Sequence, residues 1–169
     1  MIFGPDQQGR TLELMRGNRS AVDFIELIVE VLHFWDDLID RDKVLSDADI
    51  NDKMFKLLVT LPRNQFYIQN FTVLNPILVN AIMNWHVANR FERTEQPDEY
   101  KLRIAYILRS SYVDLITQSA LIVGGPEWAV QVGEQIRLYA HKETYEGYLG
   151  NLNNEFAARQ SAEGGMNVL

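Results

Sequence analysis

Three aspartates, Asp36, Asp37 and Asp40, close an apolar stretch, and they are the side chains of this sequence best placed to do chemistry. On a helix, Asp40 lies one turn from both Asp36 and Asp37, so a single cation beyond the helix end can draw oxygens from two of the three. Oxygen-only ligands of this kind suit Mg²⁺, which takes one or two carboxylates and keeps water or bound phosphate at its other positions. The chemistry implied is metal-bridged phosphate binding, with Mg²⁺ as cofactor and a small-molecule diphosphate as ligand. The cluster also breaks local rules. Asp is a poor helix former, and three of them in a last turn oppose both the macrodipole and one another. Such a conflict suggests a site.

A metal-bound diphosphate wants cations around it, and Arg103, Arg109 and Lys142 are the basic residues on the later helices that could serve. Each has the simpler reading of a surface charge. Asn80 and Asn84 share a face among Ile77, Ala81, Ala88 and Phe91, and they either bond neighbouring helices or line the same cavity. Aromatic residues such as Trp85, Tyr106 and Tyr112 could present ring faces to a cation or belong to the core.

The element that carries the aspartates is the helix expected over Ala21 to Asp40, with Ser20 as its N-cap. Thirteen of its twenty residues are apolar. Its polar positions, Asp23, Glu26, Glu30, His33, Asp37 and Asp40, alternate three and four apart and form a stripe about 100° wide, so the helix is central. The stripe is either the solvent strip of a mostly buried helix or the wall of a polar cavity. Both readings stand at this point.

The stretch ELIVEVLHFWDDLIDRDK resembles the first aspartate-rich helix of class I isoprenoid synthases, the terpene cyclases and prenyl-diphosphate synthases, whose motif is DDxxD. The resemblance covers about Val22 to Lys43. It implies an isoprenoid-synthase-like helical fold, with Asp36 and Asp40 as Mg²⁺ ligands, Asp37 as an orienting carboxylate, and allylic transferase or lyase chemistry. The family's second metal motif has no clean match. Its nearest candidates are Glu143 and Glu146, in HKETYEGYLGNLNNEF.

Other metal constellations fail on spacing. Glu30 and His33 have the spacing of half a di-iron site, but Met83 and Leu138 stand where the other histidines would need a partner. His33, His86 and His141 are not followed by Asp, which removes the His-Asp phosphohydrolases. Asp47, Asp49 and Asn51 open like a calcium loop, yet Asp52 takes the glycine position and Leu58 the place of the closing glutamate.

Around the motif, cap and breaker residues divide the chain into helices. The expected starts are Ser46 or Asp47, Asn64, Asn75-Pro76, Gln96-Pro97 and Pro126, with Gly124-Gly125 as a stop. No segment has strand period. The expected fold is all-α, a single bundle of five to six helices over 20–157, after an irregular lead-in over 1–19 and before a frayed tail over 158–169.

The chain has 169 residues, 47% of them hydrophobic, and a net charge of −7. Acidity of that size argues against nucleic acid as a partner. The longest uncharged run, Asn64 to Asn89, is too rich in asparagine to span lipid, and a homodimer is admitted. The absence of cysteine and of an export signal in MIFGPDQQGR places the expected location in the cytoplasm. The rival to the diphosphate reading is a non-catalytic helical interaction domain that retains the fold. Its supports are the short chain and the missing second motif.

Overall fold

A computed structural model of the chain describes residues 8–40, 43–94, 98–142 and 144–166, and every regular element among them is helical. The all-α expectation holds, and among the described residues nine α-helices stand where five or six were expected. The extra ones come from a short helix inside the expected lead-in and from breaks inside two helices expected to be continuous.

α1 (Gln8–Leu14) lies inside the expected lead-in, overlapping the turn or two of helix that the sequence admits over Thr11 to Arg16. It ends where Arg16 and Gly17 take φ of 48° and 78°, and the Gly17 N–H donates to Leu12 O at 2.8 Å. This left-handed turn satisfies a terminal carbonyl and suits glycine. α2 (Arg19–Asp40) follows, with Asn18 rather than Ser20 as its cap: Asn18 Oδ1 accepts the Ala21 N–H at 3.0 Å. Ser20 instead joins α2 to a later element, its Oγ accepting the Phe66 N–H at 3.0 Å.

α3 (Asp47–Phe55) opens on the expected cap, Ser46 and Asp49 forming a reciprocal capping box. A π turn (Lys56–Thr60) and a 3₁₀ turn (Leu61–Arg63) then carry the chain through Pro62 to α4 (Gln65–Gln69), capped by Asn64. α5 (Phe71–Glu92) begins a turn before the expected Asn75-Pro76 start. Asn75 is not a cap, because its Oδ1 accepts the Tyr67 hydroxyl proton at 2.9 Å.

The long helix expected to stop at Gly124 is two: α6 (Glu99–Leu108), capped by Asp98, and α7 (Val113–Gly124). Two serines make the break. Ser110 and Ser111 donate their hydroxyls to Ile107 O and Leu108 O at 3.0 and 2.8 Å, giving the last carbonyls of α6 a side-chain partner. Gly125, at φ 83°, turns the chain into α8 (Pro126–Ala140). The last expected helix divides again at His141, and α9 (Tyr145–Met166) runs past the end expected near Phe156.

α2 is central, as its pattern requires. Phe24, Ile25, Ile28 and Val31 bury against Phe66 and Tyr67 of α4, Leu74 of α5, Ile116 of α7 and Val132 of α8. Phe24 is fully buried and its ring stacks on Tyr67 at 5.2 Å. A smaller cluster, Leu102, Tyr148 and Leu152, pins α9 to α6. Among the described residues no helix is long and apolar enough to cross a membrane.

The acidic stripe of α2 is divided. Asp23, Glu30 and His33 face solvent, whereas Glu26 Oε1 is buried with no hydrogen-bond partner. Burial, helped by Asp23 and Glu30, raises the Glu26 carboxyl above its ordinary 4.5. In the window above 4.5 the folded chain therefore holds more proton than the unfolded one, so this group makes stability fall as pH rises. Glu26→Gln is expected to raise the melting temperature at pH 7 and to flatten that slope. Melting curves from pH 4.5 to 7.5 check it, and a variant that melts lower at pH 7 would contradict it.

Candidate functional site: an arginine-bridged carboxylate cluster

The last turn of α2 sends its aspartates in two directions, because adjacent residues diverge by about 100°. Asp37 turns outward and pairs with Lys43 at 2.6 Å. Asp36 and Asp40, one full turn apart, point inward to the corner between α6 and α7. Arg109 occupies that corner. Its Nη2 donates to Asp36 at 3.0 and 3.1 Å and to Asp40 Oδ2 at 3.4 Å, while its Nη1 donates to Glu92 Oε2 at 2.7 Å.

The remaining acceptors are filled from other helices. Trp85 Nε1–H donates to Asp36 Oδ1 at 2.8 Å, Arg93 Nη2 to Asp40 Oδ1 at 3.0 Å, and the Tyr148 hydroxyl to Glu92 Oε1 at 2.6 Å. Asp40 and Glu92 are 4% and 2% exposed. Burial first, and then Glu92, push the Tyr148 phenol far up, so it stays a proton donor. The network ties together α2, α5, α9 and the α6–α7 corner. Among the described residues two guanidiniums face three carboxylates in it, and buried charge is tolerated only when compensated in this way.

Asp36 and Arg109 also reach a cavity of about 70 Å³, lined by Leu32, His33, Trp35, Trp85 and Tyr112 among others. Burial raises the Tyr112 phenol to about 12. Trp35 and Trp85 meet at 5.3 Å. Pockets for ordinary small-molecule ligands run to roughly 300–1,000 Å³.

Of the residues singled out from the sequence, the structure brings Asp36, Asp40 and Arg109 together. The others are dispersed. Arg103 lies exposed on α6, bonded to Glu99 at 2.7 Å and placed 4.4 Å over the Tyr145 ring. Lys142 is exposed and sits 4.7 Å over Tyr139. Asn80 is exposed on the outer face of α5, and Asn84 Nδ2 donates to Ser111 Oγ at 3.1 Å. Glu146 is exposed in the first turn of α9, and Glu143 lies outside the described residues. Among the described residues, no group of three or more His, Asp or Glu side chains is arranged to hold a metal ion.

Glu92, Arg93 and Tyr148 are the members that sequence reasoning missed, and Trp85, expected for its ring face, joins through its indole N–H instead. One signal was present: Ala81, Trp85, Ala88 and Glu92 follow helical spacing along a single face, so Glu92 is an acid on an otherwise apolar stripe. On the same face Asn89 is 6% exposed, and its Oδ1 has no hydrogen-bond partner.

A second polar contact has the look of a catalytic dyad. Ser110 Oγ lies 2.9 Å from His141 Nε2, and burial followed by Arg137 lowers the His141 pKa. The Ser110 hydroxyl has two acceptors in reach, Ile107 O at 3.0 Å and His141 Nε2 at 2.9 Å, and the histidine tautomer sets which of them takes its proton. The contact holds the α6–α7 corner to the end of α8.

No protein-family model matches this chain, and neither a curated protein nor a solved structure does.

Proposed function

We propose that this chain is a non-catalytic helical interaction domain, in which an isoprenoid-synthase-type aspartate helix serves as a structural element held by internal arginines. The carrying observation is Arg109 Nη2, at 3.0 Å from Asp36 and 3.4 Å from Asp40. That is the position a bridging Mg²⁺ would take. A guanidinium there supplies the positive charge permanently, and a metal entering beside it meets repulsion from Arg109 and Arg93. The donor set thus fits Mg²⁺ only if Arg109 leaves it. The small volume of the adjoining cavity points the same way.

One observation favours a second reading, that of a Mg²⁺-dependent diphosphate site. Asn89 Oδ1, a buried acceptor without a donor, lies on the α5 face that also carries Trp85 and Glu92. In that reading Asp36 and Asp40 take Mg²⁺, Arg109 and Arg93 turn to the phosphate oxygens, and the aromatic cavity opens to receive an allylic chain.

Melting with Mg²⁺ and pyrophosphate separates the two. A ligand at about a hundred times its Kd adds about 2.7 kcal/mol. At this chain length that is roughly 5–10 °C. The interaction-domain reading expects the melting temperature to stay unchanged up to millimolar levels of both. A rise of that size, lost in Asp36→Asn, would overturn it in favour of the diphosphate site.

A further inference from the structure

Across the acidic stripe of α2 the chain from α3 to α4 runs antiparallel. Lys56 Nζ holds Glu30 at 2.9 Å, and further on Val59 and Thr60 of the π turn line a groove together with Asp23 of α2, Phe55 and Arg63. Its volume is about 480 Å³, within the range of roughly 300–1,000 Å³ that small-molecule sites occupy. One side is held rigid: Asn64 Nδ2 donates to Ser20 O at 2.9 Å, and Asn64 Oδ1 accepts the Tyr67 N–H at 2.8 Å. A π turn is rare and is found frequently at functional sites.

Two opposite charges line this groove and do not pair. Asp23 and Arg63 are both exposed, and among the described residues neither side chain has an ion-pair or hydrogen-bond partner. Glu26, one turn along α2 from Asp23, adds a buried Oε1 with no donor. An ammonium seated on Asp23 therefore has a second acceptor near it, and the Arg63 guanidinium presents a fork for a carboxylate. Phe55, 60% exposed, and Val59 offer apolar surface to the rest of a ligand.

We propose that this groove binds a small zwitterion with an apolar side chain, of amino-acid or short-peptide size, with its ammonium on Asp23 and its carboxylate on Arg63. The site is separate from the arginine-bridged cluster and goes beyond the interaction-domain reading. Charge selects the ligand. A simple cation would face Arg63 and a simple anion would face Asp23, whereas a zwitterion neutralises both. Both partners are exposed, so each pair contributes little and the affinity is millimolar.

Titration of the full chain with L-leucine and with L-leucyl-L-leucine to about 10 mM, followed by amide proton and nitrogen chemical shifts, tests this. The amides of Asp23, Thr60 and Arg63 are expected to shift saturably while that of Arg103, on α6, stays in place. Saturation by L-leucine assigns the site to single amino acids, and saturation by the dipeptide alone assigns it to peptides with both ends free; either supports the groove. The forms with one charge, N-acetyl-L-leucyl-L-leucine and L-leucyl-L-leucine amide, are each expected to bind about fivefold more weakly, as are the variants Asp23→Asn and Arg63→Met. Both variants replace exposed side chains, so their spectra are expected to stay those of the folded wild type. No saturable shift with either ligand, shifts confined to residues outside the groove, or equal binding by the one-charge forms or the variants would overturn the proposal.

Discussion

Arg109→Met is expected to lower stability by about 3–5 kcal/mol, the usual effect of removing one partner from a buried ion pair. Methionine keeps the unbranched apolar stem and deletes the charge. Glu92, 2% exposed, then retains only the Tyr148 hydroxyl, and Asp40, 4% exposed, loses its Nη2 contact with Arg109. Both would have to take up a proton or draw in water. Urea unfolding at pH 7 measures the effect. A loss below about 1 kcal/mol would place Arg109 among ordinary surface charges and remove the basis of the proposed function.

Replacing Asp36 and Asp40 together by Asn should have the next largest effect, and its sign carries the information. Carboxylates held close for a metal repel one another in the metal-free protein, so neutralising them stabilises it. Here each is already bonded to arginine, and Asp36 also accepts from Trp85. Asn can still accept a hydrogen bond from Trp85 or Arg93, but it leaves the guanidiniums under-neutralised. The double variant is therefore expected to lose about 3 kcal/mol. Asp37→Asn, in the same motif but paired only at the surface with Lys43, should lose no more than about 1 kcal/mol. Combining Arg109→Met with the double change should cost less than the sum, because the three residues share one network. A double variant more stable than the wild type would overturn the structural reading of the cluster.

The sequence by itself determined what depends on near neighbours in the chain. The helical period, the start at Ser46 or Asp47, the start at Asn64, the stop at Gly124-Gly125 and the centrality of α2 were all legible, because each is decided within one or two turns. Where local reading failed, a distant group had claimed the residue. Ser20 has the type and place of a cap, but its hydroxyl takes the Phe66 N–H, and Asn75 does too, but its amide oxygen takes the Tyr67 hydroxyl proton. The long helix to Gly124 read as unbroken because apolar spacing persists through Arg109 to Tyr112, and two serine hydroxyls were enough to turn it.

The three aspartates show the same division. Their positions on the helix, with Asp37 about 100° from Asp36, follow from the sequence. Their fates do not. Asp36 and Asp40 meet Arg109, 73 and 69 residues away, at a corner that exists only because α6 ends where it does. Arg109 brings a cation to two of them from within the chain. Only tertiary structure could decide that, because a guanidinium and a metal ion satisfy the same local pattern of charge.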